Sequence, residues 1–102
     1  MGRGYAHRVE DLGPQISYMV LGRGVPVFSS DGVHLGKVSR VDRDSGTDIF
    51  DGIVFETKVG PSGRRFVDAP EVGEIHERGV VLKIDAREAE ALPSPRRTRW
   101  GR

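Results

Sequence analysis

Gly24-Val-Pro-Val-Phe-Ser-Ser-Asp-Gly-Val-His-Leu-Gly-Lys-Val-Ser-Arg-Val41 is the stretch whose reading decides the fold. Val25 and Val27, then Leu35, Val38 and Val41, mark two short strands on either side of Asp31-Gly32. An Asp-Gly pair supplies the positive φ values of a tight hairpin, and alternating apolar residues supply its buried face. Gly36 falls inside the second strand, where a missing side chain marks a bend, a bulge or a close backbone approach.

Outward from the hairpin, the chain reads as consecutive short strands. Leu35 to Arg43 is followed by a turn rich in Asp, Ser and Gly, then by Ile49-Phe-Asp-Gly-Ile-Val-Phe-Glu-Thr-Lys58. Ile49, Ile53 and Phe55 share one face of that strand and Phe50 and Val54 the other. Two apolar faces predict a strand packed on both sides, or one bent at Gly52. A loop at 59–63 leads to a strand over Arg64–Ala69. Residues 69–75 read as a connection or one helical turn with Pro70 at an allowed first position. Residues 76–79 turn the chain into a last strand, Val80–Ile84. Asp85 and Glu88 have capping-box spacing and predict a short helix from Ala86 to Leu92, stopped by Pro93 and Pro95. Strand spacings of about ten residues without helical crossovers predict a mostly β fold, a small barrel of five to six antiparallel strands with one short C-terminal helix.

The 102 residues fit one domain. The expected organisation is a flexible N-terminal arm over 1–17, the domain over 18–92 and a disordered basic tail over 93–102. With no cysteine there is neither a disulfide framework nor thiol chemistry. No apolar run approaches the ~20 residues of a membrane span, and the N-terminus lacks the apolar core of a secretory signal. A cytoplasmic protein is the expectation.

The run VPVFSSDGVHLGKVSRV, the later IFDGIVFET and RRFVDAPEV, and the closing VVLKID resemble the PRC-barrel family. The matching positions are Asp31 and Gly32, Gly36 to Val38, and the proline-acid-valine corner Pro70 to Val72, within about residues 18–85. That family includes the soluble part of the photosynthetic reaction-centre H subunit, the C-terminal domain of the small-subunit ribosome maturation factor, and free-standing proteins, some of them archaeal division proteins. The chain resembles a free-standing member. The resemblance implies a barrel and a non-enzymatic protein-interaction or adaptor module, with no catalytic residue.

The residues themselves point to no enzyme. Asp42, Asp44, Asp48 and Asp51 crowd one loop, but an EF-hand count from Asp42 puts Gly46, Thr47 and Ile53 where ligand, glycine and glutamate belong. His7, His34 and His76 have no paired metal-ligand spacing. No G-x-S-x-G elbow and no phosphate loop occurs. No catalytic, metal or cofactor residues are expected, nor a small-molecule substrate.

Two surfaces remain as binding candidates. Phe28, Phe50 and Val81 sit on the less consistent faces of their strands and are the expected interface to a protein partner, most simply in a homo-oligomer formed at a β edge. The tail carries Arg96, Arg97, Arg99 and Arg102 around Trp100 and no acid. Removing those four from the 16 basic residues leaves 12 against 15 acids, so residues 1–92 carry −3. The tail is the alternative site: RNA or a ribosome through phosphate contacts and indole stacking, or the surface of an anionic membrane. Four basic residues at ~1 kcal/mol each give only millimolar membrane affinity, so a single tail is weak.

Overall fold

The computed structural model describes residues 9–44, 46–58 and 63–95. Its strands are β1 (Pro26–Phe28), β2 (His34–Arg43), β3 (Phe50–Thr57), β4 (Gly63–Asp68), β5 (Val72–His76) and β6 (Gly79–Leu82), followed by α1 (Ala86–Glu90). They form one mixed sheet in the order β4-β3-β2-β1-β6-β5. No pairing joins β4 to β5, so the sheet stays open. The expectation of antiparallel strands throughout needs one correction: β1 and β6 run parallel, with Val27 opposite Val80 and Phe28 opposite Val81. The first strand and the last are sequence-distant, and the intervening hairpins bring them together in the same direction.

The connection expected over 69–75 is a 3-10 turn at Ala69–Glu71 that runs directly into β5. Alternation conceals this strand, because its only strong apolar residues are Val72 and Ile75. The helix is shorter than expected and ends at Glu90, but its capping box forms as read. Asp85 Oδ1 accepts from the Glu88 amide at 2.8 Å, and Glu88 Oε1 accepts from the Asp85 amide at 2.9 Å. Five residues cannot hold a helix alone. The β1–β2 turn clasps it instead: Asp31 Oδ1 accepts from the Ala86 amide at 3.1 Å, and the Ser30 amide donates to Ile84 O at 2.8 Å. Ser29 Oγ also donates to Asp31, which holds that carboxyl below its usual range together with the backbone donors. A lowered pKa contributes stability above the unfolded value, lost as pH falls through the folded one.

The core is the two-faced centre of the sheet. Val27, Leu35, Val38, Ile53, Phe55, Val67, Val80, Leu82 and Ala89 pack into one buried cluster. Ile53, Val54 and Phe55 are all buried in succession, so β3 is covered on both faces. Ile49 departs from its expected place: it precedes β3 and is 62% exposed. The pairing of β2 with β3 slips between Asp42 and Arg43, and the alternation that aligned Ile49 with Ile53 breaks there.

Gly36 and Gly52 both mark close approaches. A Cβ on Gly36 would overlap the Glu56 carbonyl, and one on Gly52 would overlap the Val67 carbonyl and the Phe66 ring. Strand-to-strand contact there depends on hydrogen in place of carbon. Gly36→Ala is expected to cost about 2–3 kcal/mol in urea denaturation, as overpacking against backbone does. Gly22 has nothing within 4 Å, so Gly22→Ala is the near-neutral control.

Candidate docking surface

Both outer strands have company. Along β5 lies the segment Asp11–Ile16, which the sequence places in a flexible arm. Ile16 donates to Ile75 O at 2.9 Å, Glu77 to Pro14 O at 3.0 Å and Arg78 to Leu12 O at 2.8 Å, and Gln15 bridges His76. Leu12 is 3% exposed and sits where a Cβ on Gly79 would be, beside the Phe28 ring. The described part of the arm is therefore tied down, because an open edge rewards any segment that satisfies its amides. Along β4, the Phe66 amide donates to Pro93 O at 2.8 Å, so the first residue of the expected tail is also held.

The chain then leaves β5 and turns at Tyr18–Val20, a 3-10 turn capped by Ser17, whose Oγ accepts from the Met19 amide at 3.0 Å. That cap points Tyr18 at the start of β3. Its ring stacks on Phe50 with centroids 4.7 Å apart and planes 14° apart, and its hydroxyl donates to Asp48 O at 2.7 Å. Asp48 has φ +64°, a left-handed conformation that Asp tolerates better than most residues. Its amide donates to Asp44 O at 2.6 Å, and the Asp44 amide donates to Ile49 O at 2.8 Å. The acidic loop is thus a tight turn. Its residues anchor a stacked aromatic pair, and among the described residues no group of three or more His, Asp or Glu is placed to hold a metal ion.

Among the described residues the exposed large hydrophobics are Met19 (58%), Val20 (68%), Val33 (37%) and Ile49 (62%), and three of them neighbour Tyr18 or Phe50 in the chain. A shallow groove of about 270 Å³ runs beside the stacked pair, lined by Tyr18, Met19, Leu21, Arg23, Val41 and Arg43. Charges of both signs form the rim: Arg40 Nε contacts Asp42 at 2.7 Å and Arg43 contacts Asp48 at 3.6 Å.

The expected interface residues do not form one exposed patch: Phe28 and Val81 are cross-strand neighbours, and Phe50 lies elsewhere on the sheet. Phe28 is 4% exposed and belongs to the interior, so it offers no surface. Val81 is half-buried and in register with Phe28 on the adjoining strand. Phe50, also half-buried, lies opposite Arg43 and is the one member of the set at the apolar patch. Tyr18, Met19, Val20 and Ile49 were not among the expected residues. Adjacent exposed Met and Val outside any alternating pattern were their only sequence signal. Arg96, Arg97, Arg99, Trp100 and Arg102 lie outside the described residues. No helix among the described residues is long and apolar enough to cross a membrane. No family model matches the chain, and no curated protein matches it either.

Tyr18→Phe keeps the ring stack and loses only the hydroxyl bond, so it should lower stability by about 0.5–1.5 kcal/mol. Tyr18→Ala loses the stack as well and should cost roughly 1 kcal/mol more, with both differences read from urea denaturation midpoints.

Proposed function

We propose that this chain is a non-enzymatic PRC-barrel-like interaction module that self-associates through the patch around Tyr18 and Phe50. One observation carries the reading: Met19, Val20 and Ile49, the three most exposed large apolar side chains described, neighbour Tyr18 or Phe50 in the chain, and those two rings stack on each other. Apolar groups grouped this way remain hydrated unless a partner covers them. The PRC-barrel resemblance of the hairpin and the Pro70–Val72 corner supports an interaction role.

The occupant is a second copy of the chain. Arg40 and Arg43 already have Asp42 and Asp48 beside them, which leaves a polyanion only Arg23 among the three arginines of the groove. A two-fold axis through the patch would set arginines of one copy against aspartates of the other, as an isologous contact requires. The patch also suits self-association better than the β edges do, because chain segments already bond both outer strands. A surface this small supports a weak dimer, with dissociation on the order of micromolar.

Sedimentation at rising concentration tests this. Ile49→Asp should keep the chain monomeric where the parent is dimeric, with its unfolding midpoint unchanged because Ile49 is outside the core. Association should persist in 1 M salt, since its source is apolar. Unaltered assembly of the variant would remove the patch from the interface. Salt-sensitive RNA binding lost on removal of residues 93–102 would move the function to the tail instead.

A further inference from the structure

His76 is the one buried histidine among the described residues, at 3% exposed, and both of its ring nitrogens face acceptors. Nδ1 lies 2.8 Å from Gly13 O on the segment along β5, and Nε2 lies 2.8 Å from Glu74 Oε1 on β5 itself. A neutral imidazole has one N–H, and only the imidazolium can donate to both. The Gly13 carbonyl and the Glu74 carboxylate cannot supply the missing proton. The two contacts exist together only when the ring is charged.

We propose that His76 is a proton-operated latch whose imidazolium fastens residues 11–16 along β5 and whose loss of charge loosens that seam. Other charged residues stand on the elements next to the ring. Glu77 and Arg78 stand on the β5–β6 turn, with Arg78 Nη1 3.4 Å from Glu77 Oε1, and Asp11 is on the segment, its carbonyl accepting from Arg78 Nη2 at 3.3 Å. Glu74 makes the closest contact and is its charged partner. The bond to Glu74 raises the histidine above the usual 6.5, burial opposes it, and the Gly13 carbonyl adds to the rise. With a raised folded value, the latch is fully closed below about pH 6.5 and weakens as pH climbs through the folded pKa.

The seam also bears on the patch. Residue 16 leads directly into Ser17, which caps the turn carrying Met19 and Val20. Weaker self-association at high pH therefore follows, a consequence that rests on the docking reading above. The latch itself does not depend on that reading.

Amide hydrogen exchange between about pH 5 and pH 9 tests the latch, with rates corrected for intrinsic exchange. The Ile16, Glu77 and Arg78 amides donate across the seam, and Val38, which donates to Val25 O, is the control. Exchanging a charge-assisted bond for a neutral one should lower protection of the three seam amides roughly tenfold as pH rises, with Val38 unmoved. Glu74→Gln keeps an acceptor but removes the charge, so the transition should move to lower pH. Glu74 is 44% exposed, so this variant should still fold. Asparagine at His76 carries a non-titrating donor, and His76→Asn should make seam protection independent of pH. Protection constant across the range would overturn the proposal, because it would mean that neutral His76 keeps its Gly13 bond while Glu74 turns to water. A midpoint unmoved by Glu74→Gln would overturn it too. Measured on monomeric Ile49→Asp, the result stands apart from any failure of the docking surface.

Discussion

An open sheet leaves a row of backbone donors and acceptors along each outer strand, and these must find partners or face water. Much of this molecule follows from that constraint. The segment before the domain lies down along β5, Leu12 fills the space over Gly79, and the Pro93 carbonyl takes a β4 amide. Neither segment is a named strand; the first only finishes a 3-10 turn at Val9–Leu12 and adds one isolated bridge at Gln15. Each is held because an edge offers hydrogen bonds that solvent would otherwise supply, and because Leu12 adds buried apolar area.

The same economy explains the helix. A five-residue α1 survives because its first turn is bonded from two directions, by its own capping box and by Asp31 in the opening hairpin. Ala89 then closes over the core. Hairpin, last strand and helix are bonded to one another, joined where β1 runs parallel to β6 and where Asp31 and Ser30 reach Ala86 and Ile84. The Tyr18–Phe50 stack stands at the start of β3, opposite the last residue of β2. A turn that Ser17 and Asp48 organise holds it, and it rests only partly on the core. A rigid apolar surface outside the core is the kind of feature a partner can use without disturbing stability.

Much of the fold was legible because its signals are local. Asp31-Gly32 marked the hairpin, although its loop runs over residues 29–33 and only Gly32 takes a positive φ; Gly36 and Gly52 marked real close approaches, and Asp85 with Glu88 marked a real helix start. Val72–His76 was not legible as a strand: its alternation is thin, and its partner β6 is what makes it one. Ile49 was misplaced because a bulge shifts register without leaving a mark in composition. The surface was read least well. Whether Phe28 is interior or interface depends on which distant residues cover it, and here those are Leu12 and the residues around Gly79.

The sequence by itself determined five of the six strands, most of the turns and the capped helix, since propensity, turn chemistry and alternation act over a few residues. The tertiary structure alone decided that β1 runs parallel to β6, that residues 11–16 close an edge, and that His76 faces Gly13 across 63 positions. It also decided that Tyr18 stacks on Phe50 and that Met19, Val20 and Ile49 stay exposed beside them in the chain. These are meetings of residues far apart in the chain. They are fixed by the backbone's demand for partners and by the burial of apolar area, which no short window of sequence contains.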